Sequence, residues 1–349
     1  MQLPHLLWAA RVLGLRHLLR LRRAQQQGLA TIARGHWLTR VGSTLFNVGF
    51  FDDLARQGTI DCDAYAASRQ LDPGILRALC DYLFALKLLK KDGDRYALDQ
   101  RGRFMVDMLR GMFESAYAYE DVLHQLEALL KQEKRYGVDV HRNPEFAARG
   151  SGTGGRLFTF PLVGDLIRQR GFTTVLDLAC GDAPFLIDLC RRNPAITAYG
   201  VDIAPEAIEY GNRQIRAAGL EERITLFVED MFEIQRIAAC LRGVDVVTSF
   251  YGFQELLALG KEKVLGLLAA YRQVFPGVTF IICEVPKYSP EELRRRPGGM
   301  LEYQLWHALT HQRLATRDEW MAIWREAGIG RIDETYLPFA RTVLYTLSG

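Results

Sequence analysis

Between Thr174 and Val285, five short β-rich runs alternate with four helical stretches, a pattern that few folds accommodate. The runs are Thr174–Ala179, Ala198–Ile203, Ile224–Glu229, Val244–Phe250 and Val278–Val285. Helices are expected between them at Phe185–Arg192, Pro205–Ala218, Phe232–Leu241 and Lys261–Val274. Such alternation builds a parallel sheet covered by helices on both faces. Further on, helices are expected over Leu301–His311 and Arg317–Ala327, followed by strands Ile332–Leu337 and Thr342–Leu347. The short turn between those two strands makes them antiparallel.

The strand ends carry the chemistry. The first run closes in Val175-Leu176-Asp177-Leu178-Ala179-Cys180-Gly181-Asp182-Ala183-Pro184-Phe185. Small residues at 179, 181 and 183 let the turn pass close to a ligand. The turn lies at the carboxyl end of a parallel strand, where such sheets bind ligands. Ala179 and Ala183 carry a Cβ, so both are expected to avoid positive φ. Neither the GxGxxG of a dinucleotide loop nor the GxxxxGK of a P-loop is present. The second run ends in Asp202, followed by Ile203. A carboxylate there, about twenty residues past the turn, suits the two hydroxyls of a ribose. The third run ends in Glu229-Asp230-Met231-Phe232, where an acid could accept an adenine amino group and Met231 or Phe232 could lie against the ring. The three ends together describe a nucleoside site without a phosphate cradle.

The 349 residues exceed what one core usually organises, so two domains are expected. Residues up to about 140 read as helical. Asp72-Pro73 is a helix start. Leucines then recur at 76, 79, 83 and 86, and Asp92-Gly93 marks a hairpin. Helix, helix and hairpin make a winged-helix pattern over about 52–103. DNA binding is not expected, because the second helix sets only Arg77 and Lys87 against Asp81, and the net charge is +3. The segment Asn143–Gly155, with glycines at 150, 152, 154 and 155, reads as a linker or a loop over a site. Leu3–Leu21 reads as an amphipathic helix without a signal-peptide cleavage site. It would pack on its own domain or on a second subunit; a basic leucine face against an anionic membrane is the sharper alternative. No run is long and apolar enough to span a membrane. Six irregularly spaced cysteines fit a reducing compartment, hence a cytoplasmic protein.

Asp177–Ala183, Asp202 and Asp230-Met231 resemble the S-adenosylmethionine-binding motifs of the class I methyltransferases. The resemblance covers about residues 160–349. It implies an α/β fold with a Rossmann-like seven-stranded sheet whose last strand is antiparallel. The N-terminal part resembles the helical, winged-helix-like dimerisation domain of small-molecule O-methyltransferases, and of bacterial C-methyltransferases acting on 2-oxo acids. The expected division is therefore a dimerisation and acceptor-lid domain over 1–155 and a cofactor domain over 156–349. The resemblance implies S-adenosylmethionine as cofactor. Asp177, Ala179 and Gly181 would lie along its methionine portion, Asp202 and Ile203 by the ribose, and Asp230, Met231 and Phe232 by the adenine. Phe250 and Tyr251 would lie near the methyl donor.

Methylating a phenol or a carbon acid needs a base near neutrality. The plant-type enzymes of this resemblance place a His-Asp-Trp for it, and none occurs here. Tyr303, His307 and His311 are spaced i, i+4, i+8 on one expected helix over 300–312, with His307 the first choice of base, His311 and Tyr251 next. Tyr303, Gln254 and Glu284 are candidate acceptor contacts. A metal reading stays open, with Glu284 or Glu302 as a third ligand to the two histidines. No metal site is committed. The expected function is O-methylation of an aromatic or polyketide-type hydroxyl in secondary metabolism, by a homodimer. C-methylation of a 2-oxo acid or activated carbon is the alternative. A non-catalytic S-adenosylmethionine-binding or winged-helix regulatory protein is the rival of another class.

Overall fold

Capping residues set the first helices. In the computed structural model, which describes Trp8 and residues 10–28, 30–241 and 243–349, the Asp72 carboxylate accepts the Ile75 N–H at 2.8 Å and Pro73 takes the first helical turn. The first seven residues lie outside that description, so only part of the helix expected over Leu3–Leu21 can be placed.

Two compact units divide at Leu109/Arg110. The first holds α1 (Leu15–Gln26), α2 (Ala30–Asn47), α3 (Phe50–Gln57), β1 (Ile60–Asp61), α4 (Cys62–Arg69), α5 (Pro73–Ala85), β2 (Leu89–Asp92), β3 (Arg95–Leu98) and α6 (Gln100–Met108). Its sheet runs β1-β3-β2, antiparallel throughout, and Gly93 supplies the left-handed φ of 56° that the hairpin turn requires. Phe50, Phe51, Leu54, Tyr65, Cys80 and Leu83 form its core.

The second unit opens with α7 (Arg110–Ala118), α8 (Glu120–His124), α9 (Leu126–Leu130), α10 (Pro144–Leu157) and α11 (Thr159–Gln169). Strands and helices then alternate: β4 (Thr174–Leu178), α12 (Pro184–Arg192), β5 (Thr197–Asp202), α13 (Pro205–Ala217), β6 (Ile224–Val228), α14 (Ile234–Ala239), β7 (Val246–Phe250), α15 (Phe253–Ala258), α16 (Lys261–Val274) and β8 (Thr279–Glu284). The chain ends in α17 (Pro290–Arg295), α18 (Gly299–Leu309), α19 (Arg317–Glu326), β9 (Arg331–Leu337) and β10 (Thr342–Ser348). The seven-stranded sheet has the order β6-β5-β4-β7-β8-β10-β9. Its first five members are parallel, and β10 is antiparallel to both β8 and β9. Strand order reverses at β4, and a crevice opens outside the carboxyl ends at such a reversal.

The segment Asn143–Gly155 is not a linker or a loop: it is most of α10. Asn143 caps it through the Phe146 N–H, and Pro144 starts it. Its glycines are contact points. A Cβ at Gly150 would lie 2.9 Å from the Gly111 carbonyl oxygen of α7 and would run into Ser115 Oγ. One at Gly155 would strike the Phe160 ring at 2.5 Å. Close backbone approach offsets the roughly 1 kcal/mol that each glycine costs a helix. This packing of α7 along α10 also explains why the compact units part at Leu109 and not at the expected 155/156: residues 110–157 are built into the second unit. Gly150→Ala is expected to lower stability by about 1–3 kcal/mol, read from the urea midpoint; an unchanged midpoint would contradict the close packing.

Candidate active site

The residues singled out at the strand ends meet along one edge of the sheet. After β4 the chain turns through Ala179 (φ 55°), Gly181 (φ 56°) and Ala183 (φ 59°). The expectation that both alanines avoid positive φ is therefore wrong. Each sits in the left-handed region, at a cost of about 1–2 kcal/mol per residue. The surroundings impose it: Cys180 N–H donates to the Val201 carbonyl at 3.1 Å, and Gly181 N–H to Asp202 Oδ2 at 2.9 Å. Asp202 Oδ1 accepts from Ala204 N–H at 2.9 Å. A carboxylate offers about four lone-pair directions, so two backbone donors leave room for two more.

Around this turn the chemistry is unlike a phosphate site. Asp177 is buried and accepts from Thr248 Oγ1 at 2.6 Å. Burial, aided by the nearby Asp202 charge, pushes its carboxyl up to about 7. Ile203 is 70% exposed beyond Asp202. Asp230 Oδ1 accepts the Phe232 N–H at 2.9 Å, and the Met231 carbonyl takes the Tyr271 hydroxyl at 2.9 Å. Phe250, ending β7, packs edge-on against Phe160 at 4.8 Å. Ser249 Oγ is buried with no hydrogen-bond partner, and a Cβ at Gly252 would come within 2.8 Å of it. A bare, tightly turned backbone, two acids at strand ends, an exposed aliphatic residue and an orphaned hydroxyl fit a nucleoside bearing an amino-acid tail.

A second cluster lies on neighbouring elements. Glu284 ends β8, fully buried, with Oε1 accepting the Phe253 N–H at 2.9 Å and Oε2 unpartnered. Burial pushes its carboxyl up to about 8. Gln254, on α15, donates from its amide to the Tyr303 hydroxyl at 2.7 Å and stands 3.0 Å from His307 Nε2. His307 Nδ1 faces its own helix at the Tyr303 carbonyl, 2.7 Å away. A carbonyl only accepts, so Nδ1 carries the proton and Nε2 accepts from Gln254. Desolvation, with the Arg142 charge adding to it, lowers His307 to about 4. Its ring resonances are expected not to shift between about pH 8 and pH 5.5; a midpoint near the ordinary 6.5 would contradict this environment.

The structure does not bring His311 into that cluster. α18 ends at Leu309, and His311 sits past it, exposed, with φ 55° and its ring near Tyr136. The stripe of three at i, i+4, i+8 is thus a pair. Among the described residues no group of three or more His, Cys, Asp or Glu could hold a metal ion. Tyr251, at φ 61°, buries its hydroxyl among Thr159, Cys283 and Thr342. Sequence reasoning missed Arg142, which spans the Tyr119 hydroxyl at 3.2 Å and Glu255 at 2.7 Å, and the Tyr119–Trp306 stack at 5.1 Å. Arg142 immediately precedes the Asn143-Pro144 helix start, a capping signal that was available.

Residues 171–328 match the family described as methyltransferase domain. The chain is 24% identical to methyltransferase ungE' of Aspergillus campestris over 307 residues, covering 81% of this chain and 85% of that one. It is 25% identical to the 2-ketoarginine methyltransferase of Streptomyces arginensis over 301 residues, covering 84% and 86%. Its fold is similar to that of human N-acetylserotonin methyltransferase solved with S-adenosylmethionine, with a TM-score of 0.68 at 17% identity, over 93% of this chain and 97% of that one. The chain is thus similar to methyltransferases along most of its length, and it shares with the solved ones the fold whose strand order is described above.

Proposed function

We propose that the protein methylates a small molecule of secondary metabolism, first of all an aromatic or polyketide-type hydroxyl. The observation that carries the reading is the cluster of buried Gln254, His307 and Glu284 with half-buried Tyr303, on elements that adjoin the cofactor edge. S-adenosylmethionine supplies a methyl group on a sulfonium, which leaves by in-line displacement. The chain's own task is to orient, an effect worth about 7–11 kcal/mol in favourable cases. Asp202, with Ile203 beside it, would hold the ribose hydroxyls. Asp230, Met231 and Phe232 would bound the adenine. Asp177, Ala179 and Gly181 would line the methionine tail, with Phe250 beside the methyl donor. Glu284, Gln254 and Tyr303 would contact the acceptor. His307 Nε2 would take the hydroxyl proton once the acceptor displaces the Gln254 amide.

A base with so low a pKa is a weak one, so its contribution belongs at the low end of general-base effects. His307→Ala is expected to slow transfer by about 100-fold and leave S-adenosylhomocysteine binding unaltered; unchanged turnover would remove His307 as the base. A second reading, C-methylation of a 2-oxo acid, is favoured by the likeness to the 2-ketoarginine methyltransferase along most of both chains. Methyl-labelled S-adenosylmethionine offered with phenols, polyketides and 2-oxo acids separates the two, because O-methyl and C-methyl carbons resonate far apart. Cofactor binding without transfer to any of them would leave the non-catalytic reading.

The N-terminal unit, helices followed by a hairpin, supports a winged-helix-like module, and we read it as the dimerisation domain. Ile32 and Trp37 on α2 and Ile75 on α5 are exposed apolar side chains suited to a second copy. A DNA role is not supported: Arg77 on α5 is tied to Asp63 and Asp94, and Asp81 to Lys91 and Tyr96. All six cysteines are free thiols and five are buried, which supports a cytoplasmic setting. Among the described residues no helix is long and apolar enough to cross a membrane.

A further inference from the structure

The first 51 residues contain seven of the chain's 44 Lys and Arg and none of its 41 acids; the first acid is Asp52. The remainder of the chain is therefore net negative, and the modest overall charge hides a cationic N-terminal segment. Most of that charge sits on α1 and just before it, at Arg11, Arg16, Arg20, Arg22 and Arg23, all exposed. On α1, Leu15, Leu18 and Leu19 share one face, and Arg16, Arg20 and Arg23 share another. Arg22 lies one turn along the leucine face, where its apolar stem can lie down while the guanidinium reaches out. No residue of α1 is buried, and Leu15 is 65% exposed. Trp8 and Val12, just ahead, are exposed as well.

We propose that Trp8–Gln26 docks on an anionic lipid bilayer. A helix with a leucine face, an arginine face and no acid is built for the interface between acyl chains and negative headgroups. Charge decides among the occupants. A second copy of the same helix would bring an acid-free arginine surface against its like. A nucleic acid would satisfy the arginines and leave the leucines, Val12 and Trp8 in water. An anionic bilayer satisfies both faces together. The surface is separate from α2 and α5, where dimerisation is placed.

The test is co-sedimentation of the full chain with vesicles of phosphatidylcholine alone, and with vesicles of phosphatidylcholine mixed with phosphatidylglycerol. Binding is expected only to the mixed vesicles and weakens as salt is raised. Replacing Arg16, Arg20 and Arg23 together by Gln is expected to weaken partition by on the order of 100-fold. Leu15→Asp with Leu19→Asp is expected to weaken it by at least roughly 10-fold. Both variants should bind S-adenosylhomocysteine as the parent does, which shows that they fold. Absence of binding to the mixed vesicles would overturn the proposal. So would a leucine variant that binds them as tightly as the parent, or one whose sedimenting species drops from dimer to monomer, since a second copy would then cover the face. Binding to a short DNA duplex that survives the leucine changes, with no vesicle binding, would equally overturn it.

Discussion

Asp202→Ala is expected to weaken S-adenosylmethionine binding by roughly 1,000-fold. Two ribose hydroxyls donating to one carboxylate make two charge-assisted hydrogen bonds, each worth about 1.5–3 kcal/mol. The change also strips partners from the Gly181 and Ala204 N–H groups, both now held by the carboxylate at 2.9 Å. Those donors fix the turn at Ala179–Gly181, so the methionine end of the site should loosen with the ribose end. Asp202→Asn keeps one acceptor oxygen and should fall between parent and alanine variant. Calorimetry with S-adenosylhomocysteine measures all three, and thermal unfolding checks that each is folded. An alanine variant that binds as tightly as the parent would displace Asp202 from the ribose and with it the proposed order of the site along β6, β5 and β4.

The parts of this site that the sequence displays are those set by local backbone logic. A parallel strand must end, its end must turn, and a turn that skirts a ligand needs small residues. Asp177, Gly181, Asp202 and Asp230 could therefore be found one strand at a time. What escaped depends on residues far apart in the chain. Alanine gives no warning of a left-handed φ, and the hydrogen bonds of Cys180 to Val201 and of Gly181 to Asp202 fix the turn that puts Ala179 there. Four glycines in fourteen residues read as a break. In α10 they lie within a helix, where Gly111 and Ser115 come too close for a side chain at Gly150, and Phe160 for one at Gly155. The His307–His311 stripe assumed a helix one turn longer than the one that ends at Leu309. The Tyr303 carbonyl within α18 sets the tautomer of His307, but that its Nε2 meets Gln254, on another helix, is something no spacing within α18 could reveal.

Glu284→Gln is expected to stabilise the cofactor-free protein at pH 8, by roughly 2–5 kcal/mol relative to the parent. Glu284 is fully buried, and burial lifts its carboxyl from an ordinary 4.5 to about 8. In the folded protein it keeps its proton while the unfolded chain has already released it. The stability this group contributes is thus complete below about pH 4.5 and is lost as the pH rises toward 8. Glutamine resembles the protonated acid, keeps an oxygen for the Phe253 N–H, and never ionises. Parent and variant should therefore match near pH 4.5 and diverge steadily above it in urea unfolding. Asp177, lifted by burial to about 7, acts in the same direction and remains in both proteins, so the variant should still lose some stability between about pH 4 and 7. His307 has the opposite sign: lowered to about 4, it costs stability as the pH falls below its unfolded value near 6.5. Curves that stay parallel from acid to base would mean that Glu284 ionises normally when folded. A water or counter-charge would then have to reach its unpartnered Oε2, and Glu284 would not stand as a neutral acid in the cluster proposed to contact the acceptor.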